Sequence, residues 1–125
     1  MASPKLSKLE FKVMDALWKL GAASVREIQE HFPEKGRPAY TTVQTILYRL
    51  EAKEAVRRTK KISNAHIFET VLTRKAVYRR AVNDLLSLFD GHAQPLVSHL
   101  IDSGQLTLGD IDEARKTLRR LGKKE

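Results

Sequence analysis

The chain has 125 residues, room for one domain or a small domain with an appendage, and too little for a large enzyme. Its 23 Lys and Arg outnumber 15 Asp and Glu to give a net charge of +8, which favours a polyanionic partner; with no cysteine, disulfides, thiolate metal sites, cysteine nucleophiles and thiol redox sensing are excluded. The excess is local, since residues 1–80 carry 17 basic and 8 acidic side chains whereas residues 81–125 carry 6 and 7, so polyanion binding is assigned to the N-terminal two-thirds.

Ser7-Lys8-Leu9-Glu10 forms a capping box, with Leu6 and Phe11 spaced as its hydrophobic staple. The helix that follows places Val13, Met14, Leu17 and Trp18 at core spacing and stops at Gly21. A second capping box, Ser24 to Glu27, opens a short helix with Val25, Ile28 and Phe32, closed by Pro33. The connector 34–38, EKGRP, adds turn residues and two positive charges before a third helix. There Val43, Ile46, Leu47 and Leu50 share one face at a 3.6-residue period, leaving Thr41, Thr42, Gln44, Thr45, Tyr48 and Arg49 for the rest of the surface.

Beyond Leu50 the period changes. Runs 56–61 and 66–72 favour strands and flank a turn at Ile62-Ser63-Asn64-Ala65, with Arg57, Arg58, Lys60 and Lys61 on the first arm. So charged a hairpin is expected to lean on the helices through Val56, Ile67 or Phe68, and Val71. Thr73 caps a helix over 74–89, broken at Asp90-Gly91. A second stretch with Leu96, Val97, Leu100 and Ile101 ends at Gly104, and a third starts at Thr107 with Asp110 in its first turn and ends in the charged segment 122–125. These short amphipathic helices carry more apolar surface than they can cover among themselves. A homodimer contact through Leu85, Phe89, Leu96, Val97, Leu100, Ile101, Ile111, Leu118 and Leu121 is therefore expected.

The expected fold is mainly α with a small β-hairpin wing: a winged helix-turn-helix DNA-binding domain over 1–72, followed by a C-terminal helical dimerisation region over 73–125. A hydroxyl-rich helix running into a basic wing suits double-stranded DNA. Thr offers a hydroxyl and a methyl to the major groove, Gln pairs with adenine and Arg with guanine. Thr42, Gln44, Thr45 and Arg49 are expected at base edges or adjacent phosphates, with Thr41, Tyr48 and the four wing cations on the backbone. The competing reading is a winged-helix protein-interaction module with only non-specific DNA affinity. It predicts an exposed apolar patch where the DNA reading predicts cations converging with the third helix.

Several strings carry a resemblance: Leu9-Glu10 through Leu17-Trp18; Ser24-Val25-Arg26-Glu27-Ile28; and Thr41-Thr42-Val43-Gln44-Thr45 with Leu47, Arg49, Leu50 and Lys53. On these the chain resembles the penicillinase repressor family (BlaI/MecI) of bacterial winged-helix transcriptional repressors. The resemblance implies a homodimer that binds a pseudo-palindromic operator and represses transcription. In the best-known members it further implies a sensor peptidase that ends repression by cutting an Asn-Phe dipeptide. This chain departs from that pattern, with His99-Leu100 at the corresponding positions. A related branch senses copper through C-terminal cysteines, which this chain lacks.

No cofactor or metal site is expected. His31, His66, His92 and His99 fall in four different elements, and the seven-residue spacing of the last two spans roughly 10 Å of helix, too far for one ion. Neither a Gly-rich phosphate loop nor a HExxH motif, nucleophile elbow or acid pair is present, so no enzyme is expected. The N-terminus lacks an apolar run of signal-peptide length and no segment approaches ~20 apolar residues, so a cytoplasmic protein without membrane contact is expected.

Overall fold

The computed structural model describes residues 4–122; residues 123–125 of the charged C-terminal end lie outside that range. Helix α1 (Lys8–Leu20) begins where the Ser7 N–H donates to Glu10 Oε1 at 2.7 Å and the Glu10 N–H donates to Ser7 Oγ at 3.2 Å. It ends at Gly21, whose φ of 86° suits a residue without Cβ and whose N–H closes the last turn on the Leu17 carbonyl. Strand β1 (Ala22–Ser24) leads into α2 (Val25–His31), which the second capping box opens. The connector to α3 (Tyr40–Ala52) is held from within: the Arg37 guanidinium donates to the carbonyls of Phe32 and Glu30, and Gln29 donates to that of Pro38. One of the two connector charges thus fixes the loop that aims α3.

Strands β2 (Val56–Ile62) and β3 (Ala65–Thr70) form the wing. Ser63 and Asn64 both have positive φ, 48° and 66°, as a two-residue turn matched to the strand twist requires. The hairpin is not isolated. Strand β1 pairs with β3 in the order β1-β3-β2, all antiparallel, with Ala23 opposite Phe68. This third strand anchors the wing root to the α1–α2 junction and relieves the marginal stability of a two-stranded ribbon. Of the residues expected to lean on the helices, Val56, Ile67 and Phe68 are buried, but Val71 is exposed. Ala55 is buried there instead, and its carbonyl accepts the N–H groups of Val71 and Leu72.

The core collects Val13, Met14 and Leu17 of α1, Ile28 of α2, Val43, Leu47 and Leu50 of α3, and Val56 and Phe68 of the sheet. Phe11 and Trp18 are only partly buried. They group with Tyr78 at centroid distances of 5.5–6.4 Å, and the Trp18 Nε1–H donates to the Leu72 carbonyl. Helix α4 (Arg74–Ser87) supplies Tyr78, the buried Val77 and Arg74, which pairs with Asp15 at 3.0 Å.

Two compact units comprise residues 1–82 and 83–125. The second contains the end of α4, then α5 (Gln94–Asp102) and α6 (Leu108–Arg120), the latter opened by reciprocal bonds between Thr107 and Asp110. None of its described residues is fully buried.

Candidate nucleic-acid interface

Because Val43, Ile46, Leu47 and Leu50 are fixed in the core, the helical period forces the polar residues of α3 outward. They form two rows. Thr41, Thr42, Thr45 and Arg49 line a depression of about 290 Å3 whose far wall is Ser7 and Leu9. Tyr40, Gln44 and Tyr48 look instead toward the wing across a groove of about 340 Å3. All six α3 residues expected at DNA thus point away from the core, five of them exposed and Gln44 half-buried, and the large exposed apolar side chains among the described residues of α3 are the rings of Tyr40 and Tyr48. An apolar docking patch of the kind an interaction module requires is not what this face offers.

The four wing cations are not equivalent. Arg57 Nε donates to Glu69 at 2.6 Å, across the pair that the register sets opposite it. Arg58 forms a bidentate pair with Glu51 of α3, at 2.9 and 3.2 Å, and its guanidinium lies 5.3 Å from the Tyr48 ring and 5.5 Å from that of Phe68. A bulge between Arg58 and Lys60 then shifts the register. Lys60 and Lys61 beyond it are exposed and form no ion pair among the described residues. Arg58 therefore braces the wing against α3, and Lys60 and Lys61 carry the uncompensated charge toward the tip.

An ion pair between residues 43 apart in the sequence ties down the C-terminal end of α3. The Lys53 ammonium donates to Glu10 Oε1 at 2.8 Å and to the Lys5 carbonyl at 3.0 Å. Glu10 is 3% exposed, and its Oε2 has no partner among the described residues. Burial pushes its carboxyl up, but the Lys53 ammonium and the Ser7 N–H outweigh burial and hold it below the ordinary glutamate range. The link fixes α3 to the start of α1, the two walls of the Arg49 depression.

Arg26, Asn64 and His66 were not among the residues expected at DNA. They come from α2 and the hairpin and line the groove between α3 and the wing, and no periodicity in the sequence brings them together. Of the residues expected at a dimer contact, Leu85, Phe89, Leu100, Ile101, Leu118 and Leu121 are exposed, and Leu96, Val97 and Ile111 are half-buried. Among the described residues no group of three or more His, Asp or Glu side chains could hold a metal ion, and no helix is long and apolar enough to cross a membrane.

The sequence profile of the family described as penicillinase repressor matches residues 6–120. A Staphylococcus aureus protein named penicillinase repressor is 24% identical over 121 residues, 96% of this chain and 95% of that protein. The transcriptional regulator BlaI of Mycobacterium tuberculosis (strain ATCC 25618 / H37Rv) is 29% identical over 120 residues, 94% of this chain and 85% of its own. Among solved structures, the DNA-binding domain of the repressor BlaI superposes with a TM-score of 0.52 at 23% identity, covering 61% of this chain and 93% of that one. That likeness shows the winged-helix fold.

Proposed function

This chain belongs to the penicillinase repressor family, and from that premise we propose that it works as a cytoplasmic homodimer that represses transcription by occupying a pseudo-palindromic operator. The family is one of transcriptional repressors, not enzymes, and the chain is a DNA-binding regulator of that kind. The observation that carries the operator reading is the outward polar face of α3, with Arg49 exposed toward its end and Lys60 and Lys61, without an ion pair among the described residues, on the adjoining wing. Each α3 would enter a major groove, with half-sites about one helical turn apart, roughly 34–36 Å. Thr42, Gln44, Thr45 and Arg49 read bases or neighbouring phosphates, while Thr41, Tyr48 and the wing meet the backbone. Repression follows from occlusion of the promoter. The resemblance to the family sets His99-Leu100 where the cleavable Asn-Phe pair of its best-known members would be, which argues against release by a sensor peptidase.

Arg49→Ala is expected to weaken operator binding by about 1–3 kcal/mol and relax the preference at one position of each half-site, whereas Lys60→Ala weakens binding to all sequences alike and makes the salt slope shallower by about one. A binding-site selection with Arg49→Ala that returned the wild-type preference and affinity would remove Arg49 from the reading surface.

Dimerisation is proposed for the helical region over 73–125, supported by the exposed apolar side chains of residues 83–125, where no described residue is fully buried. Leu118, 51% exposed on α6, is the test position. Leu118→Asp should leave the chain monomeric in sedimentation equilibrium and weaken operator binding; an undisturbed dimer would move the contact elsewhere.

A further inference from the structure

The groove between α3 and the wing is built mainly from α2, α3 and β3, with Ser24 of β1 and Asn64 of the hairpin turn, which share no sequence signal. Val25 and Phe68 give it apolar surface, Tyr40 and Tyr48 line it from α3, Arg26 comes from α2, and His66 from β3. No carboxylate lines it. The Arg26 guanidinium lies 5.2 Å from the Tyr40 ring centroid and makes no ion pair among the described residues, so this cation is oriented without being neutralised. Arg57 and Arg58, by contrast, are paired with Glu69 and Glu51. Gln44 and Asn64 add uncharged donors at the groove's edges.

Resting on the operator-binding reading above, we propose that this groove seats a segment of the operator's sugar-phosphate backbone, with Arg26 as the cation on its phosphate. The chemistry matches on both counts. A phosphate requires an unneutralised cation and N–H donors, and Arg presents them in a planar fork. Deoxyribose packs on aromatic rings, which Tyr40 and Tyr48 expose beside it. The groove adjoins the reading face of α3 through Gln44, so one strand can pass from the major groove onto the wing while it stays in contact with protein. Because the Tyr40 ring already holds the guanidinium, less side-chain freedom is lost when the phosphate arrives.

The test uses the full chain and promoter DNA from upstream of its own gene, with single neutral methylphosphonate linkages placed along one half-site. Arg26→Gln is expected to make the slope of log K against log salt shallower by about one, and Arg26→Lys to keep it. One methylphosphonate position should weaken the wild type about as much as Arg26→Gln does, and should have no further effect on that variant. A thermal midpoint within a degree or two of wild type would confirm that the loss is at the interface, Arg26 being exposed. If the wild type selects its operator while Arg26→Gln keeps the full salt slope and loses affinity at every methylphosphonate as the wild type does, the groove does not hold phosphate. A wild type with no operator preference would overturn the function and this groove together.

Discussion

Replacing Phe68 with alanine is expected to lower the unfolding free energy by about 3–5 kcal/mol. Phe68 is 1% exposed and stands at the centre of the three-stranded sheet, opposite Ala23 on one side and Arg58 on the other. Truncation leaves a cavity that Ala23 cannot fill and removes one of the two rings beneath the Arg58 guanidinium. Since a small domain is stable by only about 5–15 kcal/mol, the loss is a large fraction of the whole. Urea unfolding followed through Trp18, the single tryptophan, measures it. A cost under about 1 kcal/mol would mean that the sheet is not packed on the helices through this side chain.

Lys53→Ala is expected to cost about 2–3 kcal/mol, less than for a fully buried pair because about a third of the Lys53 side chain meets water. The Glu10 carboxylate, buried and with one oxygen already unpartnered, loses its compensating charge. The pH dependence separates this from simple loss of packing. In the wild type Glu10 titrates below its unfolded value, so its contribution is complete above the unfolded value and is lost as pH falls through the folded one. In the variant the carboxyl loses the ammonium, and burial, opposed now by the Ser7 N–H and hydroxyl alone, moves its titration up from the wild-type position, so the advantage that the wild type draws from Lys53 shrinks between pH 7 and about pH 4. Unfolding curves at those two pH values should therefore show the gap between wild type and variant narrowing. A gap independent of pH would mean that Glu10 does not depend on Lys53. Through this link the variant should also loosen the C-terminal end of α3 and weaken DNA binding.

The helices were legible because their signals are local. The two capping boxes and the 3.6-residue spacing lie within single elements, and Val43, Ile46, Leu47 and Leu50 are buried as that spacing requires. Helix α4 ends at Ser87, two residues before the expected Phe89, since Leu88 and Phe89 continue the apolar pattern but sit in the turn that Asp90 and Gly91 close. What was not legible depends on pairing at a distance. Ala22-Ala23-Ser24 has weak strand preference and becomes β1 only because β3 lies beside it. The partners of Arg57 and Arg58 are set by the strand register and by the approach of the wing to α3, so four cations that read alike in sequence divide into two pairs. Arg26 and His66 are forty residues apart in sequence and meet only across the finished groove. Glu10 read as a cap and nothing more, because Lys53 reaches it from the far end of α3.

Fluorescence anisotropy tests sequence-specific DNA binding directly. The purified protein is titrated into labelled promoter DNA from upstream of its own gene and into scrambled DNA of equal length, across a salt series. Sequence-specific binding predicts that the promoter complex persists at about 150–200 mM salt, where the scrambled DNA has dissociated. Equal affinities that fall together as salt rises would contradict it and leave the basic surface as a non-specific polyanion site.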